Sequence, residues 1–219
     1  MTTKTTKTTM MSDTDIEIMG IVHDAFRRGA ARLARAAQRY GSEDPATHAA
    51  LLVGWHGFRH GLHHHHTIED TYIWPLMRRK LAGNPDAVAV LDAMEAEHAL
   101  LDPALAQVQT AFDDPDHGHE RLADRVDHLL GVLHSHLAHE EREAVPLIRE
   151  TITAKEWQRI SKDAMHDLTY REKADAAPYL LEGASEERVR VLLDMLPPPL
   201  RLMYRHRWNP RYLRVRRWE

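Results

Sequence analysis

The chain has 219 residues, 43% hydrophobic and 28% charged, the proportions of a folded globular protein rather than a disordered one. A net charge of -4 excludes a wholly basic nucleic-acid binder, and the absence of cysteine excludes disulfides, thiolate metal sites, iron–sulfur clusters and cysteine nucleophiles. No apolar run reaches the roughly 18 residues of a membrane-spanning helix, and the start MTTKTTKTTMMSDTD lacks the apolar stretch of a secretory signal. The expected compartment is therefore the reducing cytoplasm.

Residues 1–12 are Thr- and Lys-rich without periodicity and read as a disordered leader. From Asp13 the pattern is helical. Turn residues cluster at Gly41-Ser42, Gly83-Asn84-Pro85 and Asp113-Asp114-Pro115-Asp116. They cut residues 13–150 into four segments, each long enough for a long helix. Short connections make sequential helices antiparallel neighbours. The expected fold is all-α, an antiparallel up-down four-helix bundle with additional C-terminal helices.

Each segment carries an apolar stripe at three- and four-residue steps, the face that turns to a core. The first reads Ile16, Met19, His23, Phe26, Ala30, Leu33. The second reads Leu51, Trp55, Phe58, Leu62, His65, Glu69, Tyr72, Leu76. The third reads Val88, Leu91, Met94, His98, Leu101, Leu105, Val108. The fourth reads Val126, Leu129, Leu133, His136, Glu140, Leu147. Histidine or a carboxylate interrupts every stripe where the bundle should be most buried.

After residue 150 the chain changes character. Residues 151–219 hold 14 Lys and Arg against 10 Asp and Glu, whereas residues 13–150 hold 13 against 23. Beyond Leu196-Pro197-Pro198-Pro199 the tail interleaves Arg201, Arg205, Arg207, Arg211, Arg214, Arg216 and Arg217 with Tyr204, Trp208, Tyr212 and Trp218. Arginine with aromatics suits phosphates and stacking. The charge split favours instead a basic arm lying on the acidic bundle, with the aromatic rings filling grooves. A nucleic-acid partner is not expected.

The interrupting residues form a repeat. His65-x3-Glu69 is followed six residues later by Pro75, and His136-x3-Glu140 by Pro146. An i, i+4 pair lies on one helix face. His23 and His98 add one imidazole from each remaining helix, as if one helix pair were used twice about a pseudo-twofold axis. Two buried carboxylates facing each other are costly, and buried imidazoles tend to lose the protons that would neutralise them. Metal cations resolve the conflict. Neutral imidazoles can be ligands and two carboxylates can bridge two ions. Imidazole with carboxylate suits iron, manganese or zinc. The zinc-protease pattern fails, because its second histidine would fall at Glu143.

On these residues the chain resembles the hemerythrin-like, or HHE cation-binding, domain over roughly residues 15–150. The resemblance implies a bundle around two non-haem iron ions with oxo-type and carboxylate bridges, held by His23, His65, Glu69, His98, His136 and Glu140. Its expected small ligands are O2, NO or peroxide. Two departures stand out. Oxygen-carrying members have a second histidine one turn after the first on the third helix, where this chain has Asp102. They end the fourth helix with His-x4-Asp, where this chain has His-x3-Glu, as many bacterial members do.

Four His and two bridging Glu leave about two open positions on an octahedral pair with one oxo bridge. That fits peroxide or substrate chemistry as well as oxygen carriage. The functional classes are thus O2 or NO binding, an O2- or peroxide-dependent oxidase acting on peroxide or a small organic substrate, and iron or redox sensing. Asp102 is read as a further carboxylate ligand or as an acceptor orienting His98. Tyr72, on the stripe near Glu69, is read as core packing or a redox-active neighbour. In the run His63 to His66, His65 fits the stripe best and His66 is an alternative or additional ligand. His56, His60, His63 and His64 read as a hydrated face or an adventitious metal patch. Pro75 and Pro146 are expected to kink their helices or mark a final turn.

Overall fold

The structure, a computed structural model, describes residues 9–41, 45–166 and 168–218. The described residues are helical almost throughout and form no sheet. Four rods make the bundle. The first is α1 (Asp13–Ala37). The second is α2 (Pro45–Ile68), running through a π-helical turn (Glu69–Ile73) into α3 (Trp74–Lys80). The third is α4 (Pro85–Phe112). The fourth is α5 (Gly118–His139), running through a π turn (Glu140–Ala144) into α6 (Val145–Thr151).

Local chemistry sets the rod ends. Ser12 and Asp15 form a reciprocal capping box that starts α1. Asn84 Oδ1 accepts from the Ala87 N–H and Pro85 fills the first turn of α4. Gly41, at φ 94°, takes a left-handed conformation after α1 that side chains disfavour. The expected disordered leader, residues 1–12, falls only partly among the described residues. Residues 1–8 lie outside the described residues, while Thr9 to Ser12 belong to the fold. Thr9 O accepts from the Ala154 N–H, Met10 bridges Thr153, and Met11 is buried in the core.

The two prolines act differently from the expected kink. The Trp74 N–H bonds to Glu69 O and the Val145 N–H to Glu140 O, each five residues back. Pro75 and Pro146 offer no N–H to the preceding turn and their rings crowd the carbonyl four residues earlier. The turn just before each proline widens to π geometry, a feature frequent at functional sites. Tyr204–Trp208, upstream of Pro210, is a third such turn. Proline does not dictate it alone, since Pro103 and Pro178 sit inside regular α-helix.

The extension contains α7 (Ala154–His166), α8 (Tyr170–Leu181), α9 (Glu186–Met195), α10 (Pro198–Met203) and α11 (Asn209–Leu213). α7 sends Trp157 and Ile160 beneath the end of the bundle that holds Trp74 and Ile148. α8 and α9 pack on α1, where Ile21 meets Leu181, Leu192, Leu193, Tyr204 and Trp208. Trp218 inserts into the main core beside Leu51 and Trp55, and its backbone N–H donates to Ala50 O at 3.0 Å. Gly54 makes room, because a Cβ there would lie 2.4 Å from the indole.

The charge-driven account of the tail needs correction. Arg211 pairs with Asp175, Arg201 with Asp194, and Arg217 stacks on Tyr212, all inside the extension. The polar bonds across the seam run largely the other way. Arg28 of α1 donates to Leu180 O and Glu182 O, and Arg32 pairs with Glu182. Arg188 to Glu17 and Asp24 is the counter-example. Burying large aromatic side chains stabilises more than part-exposed ion pairs do, so apolar packing attaches the arm.

Candidate metal centre

One polar layer crosses the bundle. α1 contributes His23, α2 contributes His65 and His66, and its π turn opens on Glu69. α4 contributes His98, α5 contributes His136, and its π turn opens on Glu140. These seven side chains are 0–8% exposed. Phe26, Phe58, Leu62, Leu101 and Leu133 close the layer on one side. Met19, Ile73, Trp74, Met94 and Ala144 close it on the other. The stripes that build the core therefore also deliver the polar groups to one level.

The ring nitrogens and carboxylate oxygens form two groups. In one, ligand atoms of His23, His65, Glu69 and Glu140 all lie within 4.8 Å of one another; in the other, those of His66, His98 and His136 do. The carboxylates touch both. Glu69 Oε1 is 3.2 Å from His65 Nε2, and Glu69 Oε2 is 3.4 Å from His98 Nε2. Glu140 Oε2 is 3.2 Å from His23 Nε2 and 3.7 Å from His136 Nε2. His66 stacks on His98 with ring centroids 4.0 Å apart.

Acids outside the layer fix the rings. His98 Nδ1 lies 2.9 Å from Asp70 Oδ1, and His23 Nδ1 lies 2.8 Å from Glu141 Oε1. Both acceptors directly follow a layer carboxylate in sequence. Arg27 clamps Glu141 with two bonds of 2.8 Å. Glu97 accepts from His136 Nδ1 at 2.9 Å and from His139 Nδ1 at 2.6 Å. An ionised carboxylate only accepts, so Nδ1 of His23, His98 and His136 carries a proton and Nε2 points inward.

Without a cation the layer is electrostatically divided. Burial, then the neighbouring Glu140, push the Glu69 carboxyl well above the ordinary range. Burial would raise Glu140 as well, but the His23 charge overrides it and holds it down to about 2. Burial opposes the charge on His23, yet Glu140 and Glu141 raise its pKa to about 9. Burial drives His65, His66 and His136 down. His23 thus holds a proton, and the Glu69 carboxyl is pushed toward holding one, where a pair of cations would place positive charge.

The donor set fits metal ions. His66 Nε2, His98 Nε2, His136 Nε2 and the oxygens of Glu69 are buried with no hydrogen-bond partner, and Glu140, likewise buried, has the 3.2 Å contact with His23 Nε2. Such atoms are rare and costly unless something else satisfies them. Their convergence on one layer, with outer acids orienting the rings, is the arrangement of a metal site.

The sequence reading placed six of these residues on the stripes, and the structure brings all six into the layer with His66. Asp102 is not among them. It is exposed on α4 and faces a surface groove, and Asp70 takes the role of orienting His98. Tyr72 is half-buried against the Trp74 and Met77 cluster. Sequence reasoning missed Asp70, Glu141 and Glu97. The first two carried a signal, since an acid follows the layer Glu in both copies of the repeat.

The family model of the hemerythrin HHE cation binding domain matches residues 14–148. Comparison with curated proteins and with solved structures finds no match. No helix among the described residues is long and apolar enough to cross a membrane.

Proposed function

We propose, on the premise that this chain belongs to the hemerythrin HHE cation-binding family, that it holds two iron ions and uses them to bind or react with O2, NO or peroxide. The observation that carries this reading is the pair of donor groups sharing Glu69 and Glu140. His23 and His65 would serve one ion, and His66, His98 and His136 the other. Glu69 and Glu140 would bridge them. When bound, such a pair supplies electron exchange with a small diatomic or peroxidic ligand.

The chain's own residues do the rest. Glu141, Asp70 and Glu97 hold three imidazoles in one tautomer and one orientation. The apolar layers on either side exclude water and lower the local dielectric. The two-imidazole group offers fewer protein donors, so an outside ligand would find its place there. In the metal-free protein Glu140 and protonated His23, 3.2 Å apart, hold one another, and a bound ion would take the place of that proton.

Metal analysis with optical spectra of the anaerobically reduced protein, before and after O2, tests the reading. Two iron ions per chain and a stable, reversible oxygenated band are expected for carriage. Rapid irreversible oxidation or peroxide turnover would assign the oxidase-type alternative. A single zinc ion, or no metal from iron-replete cells, would overturn both.

A further inference from the structure

We infer that the groove between α2 and α4 is the path by which a divalent transition cation reaches the centre, with His63 and Asp102 as its innermost transient ligands. The inference rests on the metal-binding reading above. The groove, about 880 Å³, is lined by His56, His60 and His63 of α2 and by Asp102 of α4, with His60 Nε2 also held by Glu172 Oε1 of α8 at 3.1 Å. The three histidines recur at four- and three-residue steps and share one helix face. The next step along that face is His66, and one turn before Asp102 is His98. Both belong to the three-imidazole group. Soft-to-borderline nitrogen donors and a carboxylate suit a transition cation passing from site to site.

Two observations favour this groove over the one between α4 and α5 that Glu97 and His136 line. The residual solvent contact of the layer is confined to His65, His66 and His98, at 6–8%, whereas His23, Glu69, His136 and Glu140 are at 0–1%. The seams also differ. α1 packs along α5, while α2 and α4 do not pack closely along each other. On the α1–α5 seam Arg27 clamps Glu141. At the matching place on the α2–α4 seam the acid is Asp70, and the counterpart of Arg27, four residues after the layer histidine, is Asp102. Two acids cannot close a seam as Arg and Glu do, and they favour a cation at its mouth. Arg59 opposes this at the outer end, but it is held by Gln109 Oε1 at 2.8 Å.

The test is stopped-flow uptake of Co2+ by the full-length metal-free protein, followed by its absorption bands. The triple variant His56→Ala/His60→Ala/His63→Ala and the single variant Asp102→Asn should each load about tenfold more slowly, as lost steering and transient ligands predict. Asp102→Arg, which restores the clamp of the other seam, should load slowest. The final ion content and the melting temperature of the loaded protein should stay at the wild-type level in all three. His134→Ala, an exposed imidazole elsewhere, should load at the wild-type rate. Equal rates for all variants would overturn the path. So would a lower final ion content, which would make these residues permanent ligands, or slowing of the O2 reaction alone, which would make the groove a gas channel. Failure of the wild type to take up any ion would instead remove the metal-binding reading, and the path with it.

Discussion

α2 and α5 carry the same block, His-x3-Glu with a proline six residues on, and both widen into a π turn at the glutamate. The acid after each glutamate holds the histidine of another helix in both halves. What surrounds the two blocks differs. His66 follows the first block's histidine, and buried Leu137 follows the second's. Glu97 precedes His98 and orients His136, whereas the equivalent position before His23 is Val22. The extension lies on the α1 side. A symmetric scaffold therefore presents unequal donor groups, three imidazoles against two. On the two-ion reading, symmetry would set where the ions sit, and a few substitutions would leave one half with fewer protein donors.

The largest expected effect comes from removing what the halves share. Glu69→Ala and Glu140→Ala should each abolish stable binding of both ions. The loaded protein should lose about 3–5 kcal/mol, the range for breaking a buried charge pair, or roughly 6–20 °C in Tm for a chain of this size. The metal-free protein should respond oppositely for Glu69→Ala, because that change removes a carboxyl whose charge burial and Glu140 both disfavour. Calorimetry with and without metal checks both signs. Unchanged metal content in either variant would break the shared-bridge description.

Next comes the residue that makes the halves unequal. His66→Leu copies the Leu137 side onto the α2 side. One of the two ions should then bind at least about tenfold more weakly while the other keeps its affinity. Competitive titration resolves the two. If both affinities hold, the three-imidazole half is not a metal site. Asp70→Asn and Glu141→Gln should cost about 10–100-fold each, one in each half, by loosening a ligand rather than deleting it.

Protons provide a finer probe. At pH 7.5 the metal-free protein keeps an extra proton on His23 and ligation removes it, so loading should release at least about one proton, with the Glu69 carboxyl, pushed up by burial, adding to that release. In unbuffered titration, release near zero would contradict the protonation pattern. The same pattern sets the pH dependence of the metal-free fold. The pKa of His23 is raised from 6.5 to about 9, so its contribution is full below 6.5 and is lost as pH rises through about 9. Glu141, held down to about 2 first by its bond to His23, contributes above about 4.5 and fades as pH falls toward 2. Glu141→Gln should flatten both arms of the unfolding curve.

The stripes made the rods and the layer legible, because burying an apolar face and burying its polar interruptions are the same geometric event. His23 and His98 are each one residue in an otherwise apolar row, and that contrast is the signal. His66 gave a weaker one, since four consecutive histidines hide which of them turns inward. Glu97 gave none, because its partner His136 is 39 residues away and belongs to a different rod. Asp102 misled, being one turn from His98 yet on the edge of the stripe that meets the open seam. The prolines were visible, but spacing alone does not separate a kink from a widened turn. Pro103 and Pro178 show that the surrounding packing decides.

The smallest effect expected concerns the extension's reach toward the two-imidazole half. Tyr179 of α8 packs on Phe26, with ring centroids 6.4 Å apart, and Phe26 in turn packs on His65 at 5.3 Å. The Tyr179 ring also lies against Gly61, where an added Cβ would approach it to 3.4 Å. Its hydroxyl is buried and no hydrogen bond reaches it. The ring therefore stabilises the seam by packing while the oxygen costs desolvation. Tyr179→Phe keeps the ring and removes the orphaned oxygen. It should raise stability by about 1 kcal/mol, the low end of the cost of an unsatisfied buried group, or roughly 2–4 °C in Tm. Tyr179→Ala should lower it through lost contact with Phe26. Neither should alter the affinity of the three-imidazole half, which the extension's ring does not touch. A destabilised Tyr179→Phe would mean that the hydroxyl works through a partner, and would tie the extension to His65 by more than packing.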